Sequence, residues 1–210
     1  MALTMRKIPL VLSIITLVFF ILNLAAPYMI EPNTVRGLEG RANAMDFQDK
    51  WDDMHPVPRA IYWFGDFNCH QYESRSFVLN ENQLPVCSRC MGVFLGTLIG
   101  SMLLFHATPR AEWEDMGMTM LPESIQKKYS TKRQRTWFLY LMAGLFILPM
   151  GLDGTIQLVT DYESNNIIRL LTGTFFGIIV ALAAGIFVES AVYFSSFNSR
   201  SMTQKDGGGG

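Results

Sequence analysis

The chain alternates long uncharged stretches with strongly polar ones. No charge occurs from Ile8 to Ile30. A second uncharged stretch runs from Cys90 to Pro109, interrupted only by His106. A third runs from Thr136 to Leu152, meets Asp153 and continues to Thr160. A fourth runs from Leu170 to Val188, meets Glu189 and stays uncharged until Arg200. A helix needs about 20 apolar residues to cross the hydrocarbon core. None of these stretches keeps the polar face of a water-soluble helix. The pattern predicts an all-α, integral membrane four-helix bundle, with helices over about 8-28, 88-108, 136-158 and 167-195. They form a single membrane domain over 1-205, and 206-210 reads as a glycine tail or an expression scar. Arg6 and Lys7 before the first stretch also fit a signal peptide. Its apolar run is longer than the roughly 7–15 residues of a signal sequence, so a retained helix is expected.

Charge in the connections predicts orientation. Segment 31–85 holds five basic residues against nine acids, whereas 107–135 holds Arg110, Lys127, Lys128, Lys132, Arg133 and Arg135. The positive-inside bias then places both termini and 107–135 in the cytoplasm, in the cell membrane. The long first loop, 31-86, lies outside. Within it, Gly37–Met54 is expected to form a surface helix, and Ile61–Phe64 an interfacial aromatic anchor or re-entrant piece. Glu189 is expected to snorkel or to pair with the basic 127–135 segment.

Composition narrows the function classes. Half of the residues are apolar, 17 % are charged, mean hydropathy is +0.21 and the formal net charge is -1. A disordered chain would be richer in charge, and a nucleic-acid binder would be basic. The bilayer is the expected partner, and no nucleic acid is. Small residues recur every four positions at Gly92, Gly96 and Gly100, and again at Gly173, Gly177, Ala181 and Gly185. That spacing lets helix backbones approach closely in lipid, so the second and fourth helices are expected to pack tightly.

Cys69-His70 is followed by Cys87-Ser88-Arg89-Cys90, which accounts for every cysteine of the chain. Three thiolates and an imidazole are the ligand set of a Cys3His zinc site, and a two-residue gap lets one turn present both sulfurs. Cys69, His70, Cys87 and Cys90 are therefore the candidate ligands and zinc the candidate cofactor. His55 is a possible substitute for His70. Two other readings fit the same residues: a redox or static disulfide, as in Cys-x-x-Cys thiol chemistry, or inert buried thiols. A polar pocket is expected beside the cysteines, from Arg75, Arg89, Asp153, Gln157, Glu163 and Arg169. Ionisable groups at membrane depth face a partner or a wet cavity, and arginines suit a carboxylate or phosphate, from an anionic small molecule or a lipid head group.

The runs Cys69-His70-Gln71, Glu73-Ser74-Arg75-Ser76-Phe77 and Pro85-Val86-Cys87-Ser88-Arg89-Cys90-Met91-Gly92 resemble the signature of a family of small membrane proteins known as domain of unknown function 2085. Leu152-Asp153-Gly154, Gln157, Glu163-Ser164-Asn165-Asn166 and Arg169-Leu170-Leu171-Thr172-Gly173 agree with it. The resemblance implies a prokaryotic multi-pass membrane protein and supplies no reaction. The expected function is a membrane protein with an outward Cys/His metal site beside an Arg/Asp pocket. The alternatives are an accessory or assembly subunit of a larger membrane complex, and a thiol-disulfide oxidoreductase using Cys87 and Cys90.

Overall fold

A computed structural model describes residues 7–206, with side chains through Phe197. Four of its helices are long and apolar enough to span a bilayer. They are α1 (Lys7–Ala25, extended by a 3-10 turn through Tyr28), α4 (Ser88–Leu103, extended by a 3-10 turn through His106), α7 (Lys132–Val159) and α8 (Asn166–Asp206). The short helices are α2 (Gln48–Asp52) and α3 (Pro56–Asn68) in the first loop, then α5 (Trp113–Met118) and α6 (Glu123–Lys128) in the second. The fold is an all-α membrane bundle. Leu10, Val11, Ile14 and Ile15 of α1 and Leu141, Leu145 and Leu148 of α7 are all exposed on the protein surface. In water that exposure would be costly; in a bilayer lipid tails cover it.

The bundle is built on the α4–α8 pair. A Cβ added at Gly92 would stand 2.1 Å from the Leu170 carbonyl oxygen, and one at Gly96 would stand 2.1 Å from that of Thr174. From the other side, Cβ atoms at Gly173 and Gly177 would stand 2.3 Å from the carbonyl oxygens of Arg89 and Val93. The two small-residue stripes therefore face each other at backbone contact. The opposing atoms are main chain and cannot rotate aside. Gly96→Leu is expected to separate the helices, at the upper end of the roughly 1–3 kcal/mol of overpacking or beyond it. A thermal unfolding series in detergent checks this, and an unchanged midpoint would contradict it. The α1 helix packs on the other side of α4, where the Ser13 hydroxyl donates to Ser101 Oγ (2.9 Å) and Phe19 meets Phe94.

Segment 31–86 folds into a cap on one end of the bundle. Ala26, Val35, Leu38, Trp51, Ile61 and Tyr62 form its core. Asp66, 1 % exposed, accepts from Trp51 Nε1 (2.8 Å) and from the main-chain N–H groups of Asp46 and Phe47. A hairpin pairs β1 (Val78–Leu79) with β2 (Asn82–Gln83), in the register Val78 to Gln83. Its turn residues Asn80 and Glu81 both have positive φ, the geometry that follows the strand twist.

Three local expectations take definite form. Only Gln48–Asp52 of the expected Gly37–Met54 helix is helical. Gly37 and Asn43 take left-handed φ values, and the N–H groups of Gly40 and Asn43 bond to the carbonyls of His70 and Phe67. Docking on α3 replaces the internal ladder a helix would need. Ile61–Phe64, read as an interfacial anchor or a re-entrant piece, is the middle of amphipathic α3: Ile61 and Tyr62 enter the cap core while Trp63 stays half exposed. Glu189 is 3 % exposed with Oε1 unbonded. The basic segment pairs instead with Glu112, Glu114, Asp115 and Glu123, so no bridge to Glu189 forms.

Candidate metal centre and polar network

The cysteines meet where the cap joins the bundle. Cys69, the C-cap of α3, is extended (φ -140, ψ 144), and its N–H closes the helix on Gly65 O at 2.8 Å. Two residues later Gln71 is left-handed (φ 47) and fully buried. Its Nε2 donates to Pro85 O (2.6 Å), while its own carbonyl accepts from Gln83 Nε2 (2.5 Å). These bonds pin the Cys-His-Gln turn to the segment that leads into Cys87. Gly65 makes the approach possible, since a Cβ there would stand 2.0 Å from Pro85 O. Cys87 is the N-cap of α4 and Cys90 lies one turn on.

The three sulfurs lie within 4.8 Å of one another, with Cys69 and Cys87 buried and Cys90 partly so. The Cys87 N–H donates to Cys69 Sγ at 3.3 Å. Leu84, Val86 and Met91 surround the cluster, with Leu24 of α1 and Leu170 of α8 against it. Hydrogen bonds from Cys69 and Cys90 hold the Cys87 thiol well below its ordinary pKa, against its burial. Cys69 is pushed up, chiefly by its bond to Cys87 and by burial. Cys87 is thus the first of these two to ionise.

His70 stands beside the sulfur set and is not part of it. Extended backbone at Cys69 sends adjacent side chains to opposite sides. The His70 ring lies edge-on to Tyr72 at 5.0 Å, and its Nδ1 is buried without a partner. Burial lowers its pKa, with Arg75, Arg169 and Arg89 adding to that and Cys87 opposing, so the imidazole is held neutral at pH 7. His55 is exposed at the far end of α3. The helix places it roughly 20 Å along the axis from Cys69.

The polar residues sort into a core and a rim. In the core, Arg89 Nη2 pairs with Asp153 Oδ2. Ser164 Oγ donates to the same carboxylate at 3.2 Å and accepts from Gln157 Nε2 at 2.9 Å. Arg169, 2 % exposed, donates Nη2 to Gln157 Oε1 (2.6 Å) and Nε to Ser164 O (2.9 Å). On the rim, Arg75 meets Glu163 at 3.1 Å. Ser164 joins both halves of the core; the sequence shows it within the Glu163-Ser164-Asn165-Asn166 run but gives it no place in the polar pocket. The available signal was its place just before Asn165, whose side chain caps α8 by accepting from the Ile168 N–H. Gln71 and Ser88 stand in the quoted runs without an assigned role; Ser88 is fully buried with an unbonded hydroxyl.

Four apolar spanning helices under a folded cap define a multi-pass α-helical membrane protein. The chain belongs to the family described as predicted membrane protein DUF2085, whose model matches residues 69–183. An uncharacterized protein of Methanocaldococcus jannaschii is 28 % identical over 176 residues, 84 % of this chain and 89 % of that one. An uncharacterized protein of Methanothermobacter thermautotrophicus is 31 % identical over 114 residues, 54 % of this chain and 81 % of that one. No solved structure matches.

Proposed function

We propose that this membrane protein carries an outward-facing zinc site that fastens the cap to the mouth of the bundle, beside a polar pocket for an anionic group. Cys69, Cys87 and Cys90 supply three thiolates; His70 stands outside the triangle against Tyr72, so the fourth position is open, and the neutral imidazole would fill it only by turning away from Tyr72. The observation that carries the reading is the sulfur triangle. Zn–S bonds of about 2.3 Å in a tetrahedron put sulfurs about 3.8 Å apart, within the 4.8 Å limit of these three. The main-chain N–H on Cys69 Sγ and the apolar shell are what a thiolate site requires around its ligands. The ligands come from the cap (Cys69) and from the start of a spanning helix (Cys87, Cys90). An ion there would tie the two together.

Elemental analysis of the purified chain, with thiol counting before and after chelation, tests this. The expected result is about one zinc per chain and three thiols released by the chelator. No metal, with two sulfurs oxidised and one free, would overturn it. That outcome would support a thiol-disulfide oxidoreductase using Cys87 and Cys90, which the lowered pKa of Cys87 at a helix N-terminus favours. A role as accessory or assembly subunit draws support from α7, which buries little of its span and leaves Gly144 open to a neighbour.

A further inference from the structure

The polar network beside the cysteine cluster holds more guanidinium groups than carboxylates. Arg169 is almost fully buried and its bonds go to neutral acceptors, Ser164 O and Gln157 Oε1. The carboxylate of the core, Asp153, is taken by Arg89 and Ser164. Glu163 is already matched by Arg75 on the rim. Two guanidinium groups thus share one carboxylate, and an unbalanced buried charge is costly. Arg89 also has donors to spare. Its Nε is buried without a partner, and its Nη1 lies 3.9 Å from where a Cβ on Gly154 would stand.

The same guanidinium borders a groove of about 360 Å³ between α7 and α8. Ile147, Met150, Gly151, Gly154 and Leu158 of α7 and Phe176 of α8 line it, and Arg89 is its charged residue. Glycine lines it on α7: a Cβ at Gly151 would stand in open space, with nothing within 4 Å. From Ile147 to Leu158 the helix rises roughly 16 Å, so the groove suits a hydrocarbon chain. It lies inside the spanning segments, where water does not fill an apolar recess and a bilayer component can enter from the side. Arg89 is the second residue of its span, at the boundary where lipid head groups sit.

We propose that this groove binds an anionic lipid, with its phosphate on Nη1 of Arg89, the donor that faces Gly154, and its chain along Gly151 and Gly154. A charged arginine N–H is a strong donor to a phosphate oxygen, and Asp153 occupies only Nη2. The inference rests on the polar pocket of the reading above and is independent of the metal.

Native mass spectrometry of the full chain in neutral dodecyl maltoside tests it, with tetradecyl phosphate and inorganic phosphate as probes and zinc measured on each sample. One tetradecyl phosphate is expected to bind, about tenfold or more tighter than inorganic phosphate, since each buried methylene adds affinity. Arg89→Gln is expected to weaken it about tenfold or more. Because that change strands Asp153, Gly151→Leu serves as the second variant. It places a side chain in open space and is expected to exclude the chain of the amphiphile while inorganic phosphate binding stays the same. Unchanged tetradecyl phosphate binding in Gly151→Leu would overturn the proposal. So would equal affinity for the two probes, which would mean a soluble anion site. Lipid binding to a zinc-free wild-type chain would support the groove and sink only the metal reading.

Discussion

Cys87→Ser is expected to empty the proposed zinc site and to open the cap to protease, while the four spans stay helical. Cys87 is central to the triangle: it is the N-cap of α4, it takes the Cys69 sulfur on its own N–H, and it is the lowest-pKa thiol outside the spans. Metal binding at a site absent from the unfolded chain is folding free energy, about 10–16 kcal/mol in small zinc peptides. The cap has a modest core of its own, and its seam with the bundle runs through Cys69, Leu84, Val86 and Cys87. Without the ion, that seam keeps its apolar contacts and a few hydrogen bonds, among them Asn166 Nδ2 to Ser76 O at 3.1 Å. Limited trypsin digestion should therefore cut early at Arg36, Arg41 or Arg59, all exposed in the cap. Zinc per chain should fall from about one to near zero. A variant that holds zinc as the parent does, or a metal-free parent whose cap resists trypsin, would remove the role assigned to the ion.

Asp153→Ala should be among the most destabilising single changes in the spans. It leaves Arg89 and Arg169 facing each other across Ser164 and Gln157 with no carboxylate between them. Removing one partner of a buried ion pair costs about 3–5 kcal/mol, because the charge left behind has lost its solvent and its partner. Asp153→Asn should cost less, since an amide still accepts from Arg89 and Ser164. Equilibrium unfolding of the three proteins in mixed detergent micelles checks the order. If Asp153→Ala unfolds with its parent, the network carries no stability.

The spans were legible because each is a local property. In lipid, every main-chain polar group must be satisfied within the segment, so an uncharged run of sufficient length is already a helix. The α4–α8 contact was legible for a related reason. Gly92, Gly96 and Gly100 lie on one face by helical period alone, and Gly173 and Gly177 match them in spacing. Cys87 and Cys90 share one turn by the same arithmetic. The cap was less legible: Gly37–Met54 is polar enough for a surface helix, yet its N–H groups bond to the end of α3. Nothing within the segment announces that partner.

The sequence by itself therefore determined the membrane class, the four spans, the small-residue faces and the pair of thiols on one helical turn. Each depends on period and composition within a single element. Only the tertiary structure decided that Cys69 joins Cys87 and Cys90 while His70 turns toward Tyr72. That outcome hangs on the left-handed backbone of Gln71 and on the absence of a Cβ at Gly65 under Pro85. It also decided that Ser164 bridges Asp153 and Gln157, and that Arg169 is buried without a carboxylate of its own. Such pairings are set by chain reversals and by contacts between distant segments, whose partners no single run of residues specifies.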